Sequence, residues 1–439
     1  MHRRNFLAAS AASALATSVF ADDEKKSSST RTTSGSTPVV VPASTTPKAR
    51  VIVIGGGMAG TTVAKYLRLW GDSIEVTLVE RMPTYTSNIM SSLVLTGQRT
   101  MASLTYKYDT LRSKYGVTTV FGEVVSVDYV PDVAKVTLRD GTVLFAERIV
   151  MAPGITFDDV PGLGTSDKMP HAWTAGPQTT LLAKQLNAMP PGGKVVLTIP
   201  KTPYRCPPGP YERACLVADW LRVKKPGSKL IVLDANSEIV VEKDNFTNAF
   251  KGIHGSVIEY RPNSEVLSVD PVGMNLYTYG GGTVHGDVVN MIPRQSAGGL
   301  ITATGLNNSI DGRFAGVNVL SYASTVSGAD KVHIIGDSSA TTQPKAGHIA
   351  NQEAKVCADA LTRIFAKGSP DPSPVTNSAC FSTITTTQAS WLHAMYQYDS
   401  KTGTMLAVPA ATGASVGWDT ESFQDMGKWF GALMADTFA

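Results

Sequence analysis

Apolar residues fall along this chain in short, mostly β-branched runs, separated by stretches with helical spacing. Residues 49–60 read ARVIVIGGGMAG. The run Val51 to Ile54 predicts a buried strand, the glycines a tight loop, and the following TTVAKYLRLW a helix. A second apolar run, Ile74 to Val79, closes on Glu80. Arg148 to Ile155 (RIVMAPGI) and Lys331 to Ala340 (KVHIIGDSSA) predict two further strands, each running into small residues. From Pro191 the pattern repeats: strand Lys194 to Ile199, helix Arg213 to Val223, strand Lys229 to Leu233 ending at Asp234. Such alternation predicts an α/β fold with two dinucleotide-binding-like domains on parallel sheets. Near the C-terminus, Phe423, Met426, Trp429, Phe430, Leu433 and Met434 recur at spacings near 3 and 4, an apolar helical stripe facing a core or a partner.

The N-terminus breaks this pattern. Arg3 and Arg4 precede a weakly apolar, Ala/Ser-rich run, Phe6 to Phe20, which ends in small residues at Val19 and Ala21. About 15 residues at 1.5 Å each span roughly 22 Å, short of a ~30 Å hydrocarbon core. Residues 1–21 therefore predict a cleaved export signal of twin-arginine type, and the periplasm as destination. Residues 22–49 are rich in Ser, Thr and Pro and predict a tether without a core. No later apolar run is long enough to predict a membrane span.

Composition narrows the class further. The chain has 439 residues, with 39 basic against 36 acidic and no block of like charge, which argues against a nucleic-acid surface. Four cysteines do not make a disulfide scaffold, and no metal site is expected.

Gly55-x-Gly57-x-x-Gly60 sits where a dinucleotide motif requires it, between a strand and a helix. Gly55 allows the tight turn, Gly57 the approach of a pyrophosphate, and Gly60 close helix–strand packing. The helix N-terminus then faces the phosphate charge. Glu80, about twenty residues past the last glycine, is placed to accept from a ribose hydroxyl. Three later segments resemble those of flavoproteins built like glutathione reductase. In Gly122-Glu-Val124-Val-Ser-Val-Asp128 the backbone at Val124 would lie along the adenine. Ala152-Pro153-Gly154 resembles the turn that joins the two nucleotide domains. Gly336-Asp337 resembles the pair that meets the ribityl and pyrophosphate. The resemblance implies FAD.

In the second unit the phosphate loop is replaced. Pro200 to Pro210 reads PKTPYRCPPGP, and each proline removes an N–H and fixes φ. A donor-rich cradle cannot form there, so NAD(P)H is not expected as the electron donor. Cys206 occupies the slot just before a helix start, where a lowered thiol pKa is expected. Arg205 or Arg213 would favour the thiolate, and Glu212 could move a proton.

The loop Pro203 to Ala214 (PYRCPPGPYERA) closely resembles that of the flavoprotein subunit of flavocytochrome c sulfide dehydrogenase. So do His171-Ala-Trp173-x-Ala-Gly176, Pro344-Lys-x-Gly347 and Asp436-Thr-Phe438. The resemblance runs from about Arg50 to Ala439. It implies an exported FAD subunit in which Cys206 attacks sulfide sulfur, Glu212 shuttles a proton, and Gly347 opens a helix near the flavin ring. Electrons would pass to a c-type cytochrome, either a subunit or a soluble partner, since the chain has no Cys-x-x-Cys-His of its own.

Two departures from the family stand out. Tyr85-Thr86-Ser87 replaces the segment whose cysteine links FAD, so the flavin is expected to be non-covalent. The family's second redox cysteine falls, in this reading, at Ala315, with Cys380 read as structural and Cys357 as core; Cys215 remains a candidate partner for Cys206. The expected layout is residues 50–160 and 288–374 for the FAD domain, 161–287 for the second nucleotide-like domain, and 375–439 for a C-terminal interface domain. The missing partner cysteine keeps two alternatives open: a flavin thiol or persulfide oxidoreductase with another sulfur substrate, or a non-catalytic FAD electron-transfer subunit. A quinone-reducing relative is less favoured, because the terminal stripe has one basic residue, Lys428, where a membrane-lying helix is rich in them.

Overall fold

The computed structural model describes residues 47–129 and 134–439. The export signal at 1–21 and nearly all of the tether lie outside the described residues. Strand β1 (Ala49–Ile54), helix α1 (Met58–Trp70) and strand β2 (Ile74–Glu80) form the first unit. With β3 (Thr118–Phe121) and β4 (Arg148–Met151), β1 and β2 lie in parallel in the order β3-β2-β1-β4. The order reverses at β1, which opens a crevice at the carboxyl ends of β1 and β4, the usual binding position in such sheets.

The chain then leaves for a second sheet. Helix α2 (Pro177–Ala188) leads into β5 (Lys194–Ile199), α3 (Gly209–Lys224), β6 (Lys229–Asp234), α4 (Lys243–Lys251), β7 (Ile258–Arg261) and β8 (Val288–Asn290). These strands are parallel in the order β7-β6-β5-β8. Val288 to Asn290, expected to have rejoined the FAD domain, is therefore the fourth strand here; its apolar run pairs with Val195 to Leu197. The first sheet is regained by β9 (Val332–Ile334), which lies beside β4, and is backed by α5 (Gly347–Phe365).

Both sheets are sandwiched alike, and strand alternation explains how. Val51 and Val53 face a core shared with Val63, Leu67 and Leu361 of the helices, whereas Ile52 and Ile54 face a core built with the antiparallel strands at 124–146. In the second sheet Val195 and Leu197 face the helices, while Val196 faces the antiparallel strands at 266–285.

A third unit closes the chain. Strands β10 (Val375–Thr383), β11 (Ala389–Asp399) and β12 (Thr404–Ala407) form an antiparallel sheet, followed by α6 (Thr420–Phe438). The apolar stripe of α6 is core: Met426, Phe430, Leu433, Met434 and Phe438 are buried against α1 and its neighbours. Its end is latched by polar bonds. Lys65 Nζ donates to the carbonyls of Asp436 (2.8 Å) and Ala439 (2.7 Å), Asn351 Nδ2 donates to Asp436 Oδ2 at 2.8 Å, and Lys355 pairs with the same oxygen at 2.9 Å. Among the described residues no helix is long and apolar enough to cross a membrane.

Candidate functional site

The glycines of the first loop are there for space. Gly55 sits at φ +100°, and a Cβ on it would lie 2.4 Å from the Ala152 carbonyl oxygen; one on Gly60 would lie 1.7 Å from the Gly55 oxygen. Gly57 is different: its Cβ would meet only Tyr85 Cε2, at 3.8 Å, leaving room at the start of α1. Glu80, at the end of β2, accepts from Gly56 N at 2.6 Å and Met82 N at 3.0 Å, which fixes the carboxylate beside that loop with acceptor capacity to spare. Val124 starts the antiparallel layer, opposite Leu138. Pro153 and Gly154 follow β4, and a Cβ on Gly154 would meet nothing within 4 Å. Gly336 is held by Glu353 Oε2, which accepts its N–H at 2.7 Å. Beyond it, Asp337 Oδ1 is buried with no hydrogen-bond partner among the described residues. An open phosphate loop, a ribose acid and an orphaned aspartate in one crevice fit FAD. Gly347 begins α5, where a Cβ would lie 2.8 Å from Ile89 Cδ1. Ser87 is buried, with its hydroxyl donating to the Ile89 carbonyl at 3.2 Å.

The second unit keeps the backbone design and fills the site. Asp234, at the end of β6, occupies the position of a ribose acid. Tyr211 and Tyr260 hydroxyls donate to its Oδ2 at 2.7 and 2.8 Å, and Asn236 donates twice to its Oδ1, at 2.9 Å (N) and 2.8 Å (Nδ2). The loop's donors face the FAD domain instead: Arg205 N bonds Gln295 Oε1 at 2.8 Å, and Cys206 N bonds the Lys345 carbonyl at 2.7 Å. These residues do not fit a second dinucleotide.

Cys206 is held in the left-handed region at φ +58°. Gly209 separates the thiol from the Trp173 indole: a Cβ there would lie 2.8 Å from Cys206 Sγ and 2.9 Å from Trp173 Cη2. The expected lowering of the thiol pKa is overturned. Burial, then the Glu212 carboxylate, pushes Cys206 up to about 12, and the Arg205 guanidinium offsets only part of this. The Arg213 guanidinium also interacts with the Cys206 charge. It is buried over the Trp173 ring, 4.6 Å from the centroid, donating to Ser92, His171, Ala172 and Asn290. Glu212 accepts from Thr383 Oγ1 at 3.0 Å, and burial raises its carboxyl to about 7, a value suited to proton transfer near neutrality.

The sulfur beside Cys206 comes from an unexpected place. Ala315 lies in the core of the FAD sheet, opposite Ser339. Cys380, read as structural, lies on β10 close enough to Cys206 that a thiolate at one raises the pKa of the other. Burial is the larger cause, and Glu242 and Glu212 add to it. Cys215 is fully buried inside α3, and Cys357 is core in α5. All four cysteines are free thiols. Sequence spacing gave no hint of the Cys206–Cys380 approach, because α3 and β10 belong to different units. Tyr85, Arg205 and Asp337 close the other side: burial first, then these two charges, sets the Tyr85 hydroxyl, raised to about 12, and Tyr85 stacks on Phe438 at 5.1 Å.

An open phosphate loop and an orphaned buried acid after the last strand of the same sheet fit an FAD-dependent oxidoreductase on two dinucleotide folds. Comparisons with known proteins agree. Residues 49–185 match the pyridine nucleotide-disulphide oxidoreductase family. Residues 179–293 match the central part of the sulfide dehydrogenase [flavocytochrome c] flavoprotein chain, and 372–438 match the flavin-binding part of flavocytochrome c sulphide dehydrogenase. Two segments of the chain thus match the flavocytochrome c sulfide dehydrogenase flavoproteins.

Solved structures share its fold. The sulfide:quinone oxidoreductase from the hyperthermophilic bacterium Aquifex aeolicus superposes with a TM-score of 0.72 at 15% identity, over 88% of this chain and 91% of that one. The NAD-dependent persulfide reductase from A. fulgidus gives 0.58 at 13%, over 88% and 77%. Putidaredoxin reductase, in its covalent complex with putidaredoxin, gives 0.63 at 16%, over 88% and 93%.

Proposed function

We propose that this chain oxidises sulfide through a Cys206–Cys380 dithiol beside FAD and hands the electrons to a c-type cytochrome. The observation that carries this reading is the meeting of Cys206, Cys380 and Glu212 at the side of the flavin crevice marked by Arg205 and Asp337. With the pair oxidised, hydrosulfide attacks Cys206 Sγ. The Cys206–Cys380 bond breaks, a persulfide forms on Cys206, and Cys380 leaves as the thiol. A second hydrosulfide takes the outer sulfur as hydrodisulfide and frees Cys206. Re-closing the disulfide releases two electrons, and FAD supplies the two-electron acceptor. Glu212 takes up and returns the Cys206 proton.

The second nucleotide-like domain then serves as the carrier of Cys206, which is consistent with its plugged Asp234. Ser87 has no thiol to form a thioether, so FAD is held without a covalent link. The basic pair Arg3-Arg4 supports export of the folded protein to the periplasm; an Arg3→Lys, Arg4→Lys variant should stay in the cytoplasmic fraction.

The test is anaerobic rapid mixing with sulfide. Flavin absorbance should bleach, and Cys206→Ser and Cys380→Ser should each lose at least about 100-fold in rate, the scale of removing a nucleophile or its partner. Full-rate bleaching in either variant overturns the dithiol. Bleaching by organic thiols but not sulfide favours the alternative sulfur substrate. Acid denaturation of the same preparations should release the flavin into solution, and retention would overturn non-covalent binding.

A further inference from the structure

Cys380 has a carboxylate beside it other than the Glu212 already assigned. Glu242, at the N-terminus of α4, is gripped at both oxygens: Ser382 Oγ donates to Oε1 at 2.7 Å and Ser390 Oγ to Oε2 at 2.6 Å. The two serines are directly opposed across the β10–β11 ladder, so together they aim the carboxylate at one face of the C-terminal sheet. Side chains alternate along a strand, and Cys380 lies two residues from Ser382, on that same face. Glu212 approaches the end of β10 at Thr383. The groups that bear on Cys380 are thus Cys206 and Glu212 from the second unit, Glu242 from α4, and Ser378 on its own strand; Tyr396 of β11 senses its charge in turn. The Glu242 carboxylate is largely buried, and Asn245 Nδ2 bridges from its Oε2 at 3.5 Å to the Ser415 carbonyl at 3.1 Å.

We propose that Glu242 is the proton partner of Cys380, as Glu212 is of Cys206, so that the disulfide opens and closes with one proton moving through each carboxylate. On opening, the sulfur–sulfur bond breaks, Cys380 takes a proton from Glu242, and an S–H bond forms. On closing, that S–H bond breaks, the sulfur–sulfur bond re-forms, the proton returns to Glu242, and a bound FAD would accept the electron pair. Burial disfavours a lingering thiolate at Cys380, which makes a dedicated donor necessary at this position. The serine pair fixes the carboxylate in place.

This inference rests on the dithiol reading, and the two fail separately. The test is the pH profile of thiol alkylation in the reduced, flavin-loaded protein, with Cys206 and Cys380 resolved by peptide mass spectrometry. Removing a nearby negative charge lowers a thiol pKa by about one unit or more, or roughly tenfold in rate at fixed pH. Glu242→Gln should therefore speed Cys380 alkylation about tenfold and leave Cys206 within about twofold. Glu212→Gln should act more strongly on Cys206. Should Glu242→Gln not fold, Glu242→Asp, which withdraws the charge from the serine pair, should shift Cys380 in the same direction by less. A Glu242 variant that leaves Cys380 unmoved, or moves both thiols equally, overturns the assignment. Failure of sulfide to bleach the wild-type flavin would overturn the dithiol function while leaving the alkylation profiles to decide on Glu242.

Discussion

The molecule builds the same unit twice and uses it in opposite ways. In the first, β1 and α1 leave an open phosphate loop, and the acids Glu80 and Asp337 keep acceptor capacity free for a ligand. In the second, β5 and α3 repeat the backbone, but Tyr211, Tyr260 and Asn236 saturate Asp234, and the loop's N–H groups are bound to Gln295 and Lys345. A dinucleotide fold therefore binds only while its donors and acids are unspent. Once they are satisfied internally, the same helix start becomes a rigid mount, and here the mounted group is Cys206. The sulfur next to it does not come from either copy but from the C-terminal sheet, whose Phe381 packs into the core of the first copy.

The sharpest way to break this contrast is to charge the open loop. In Gly57→Asp the new side chain has room, with no atom nearer its Cβ than 3.8 Å, so the fold should survive with unchanged circular dichroism. Its carboxylate would face the pyrophosphate. Like charges set against each other cost several kcal/mol, so FAD affinity should drop by about 100-fold or more in flavin titration. Clearing the second loop with Pro207→Gly and Pro208→Gly should gain nothing: NADH should neither bind nor reduce the flavin. Binding there would show that proline alone closed the site.

A smaller effect should follow at the plug. Tyr260→Phe removes one donor from a buried carboxylate already raised by burial. A lost bond to a buried charged group costs about 1.5–3 kcal/mol, readable as a lower urea midpoint with flavin content unchanged. NADH protection of this variant against unfolding would mean that the second copy is merely blocked and still a nucleotide site.

The same contrast explains what the sequence made legible. Gly55, Gly57, Gly60, Glu80 and Gly336-Asp337 could be read because strand, loop and helix chemistry is local, and their spacing carries the geometry. The prolines around Cys206 declared the lost cradle for the same reason. The Asp234 plug was not legible, since Tyr211 and Tyr260 reach it from separate elements and resemble ordinary core tyrosines. The Cys380 approach failed most instructively. Matching the second sulfur by position led to Ala315, because no periodicity records that β10 packs beside α3. The low Cys206 pKa was misjudged through weighing the helix start and overlooking burial, which is a tertiary property.

The last prediction concerns the acid that supports the first site from behind. Glu353 holds Gly336 N and accepts from Ser339 and Thr341, and burial, the leading cause, raises its carboxyl to about 7. An acid whose pKa is raised on folding binds more protons in the native state, so stability is greatest below the unfolded value of about 4.5 and declines as pH rises through about 7. Between pH 6 and 7 one such group lowers stability as it ionises. Glu212, raised similarly, contributes its own share. Glu353→Gln should thus retain the Gly336 contact through its amide oxygen while reducing, without abolishing, the decline in unfolding free energy over that interval. Urea titrations at pH 6 and 7 give the comparison directly. An unchanged decline in the variant would mean that Glu353 is ionised throughout, and that the buried end of the flavin crevice carries a fixed negative charge in place of a proton.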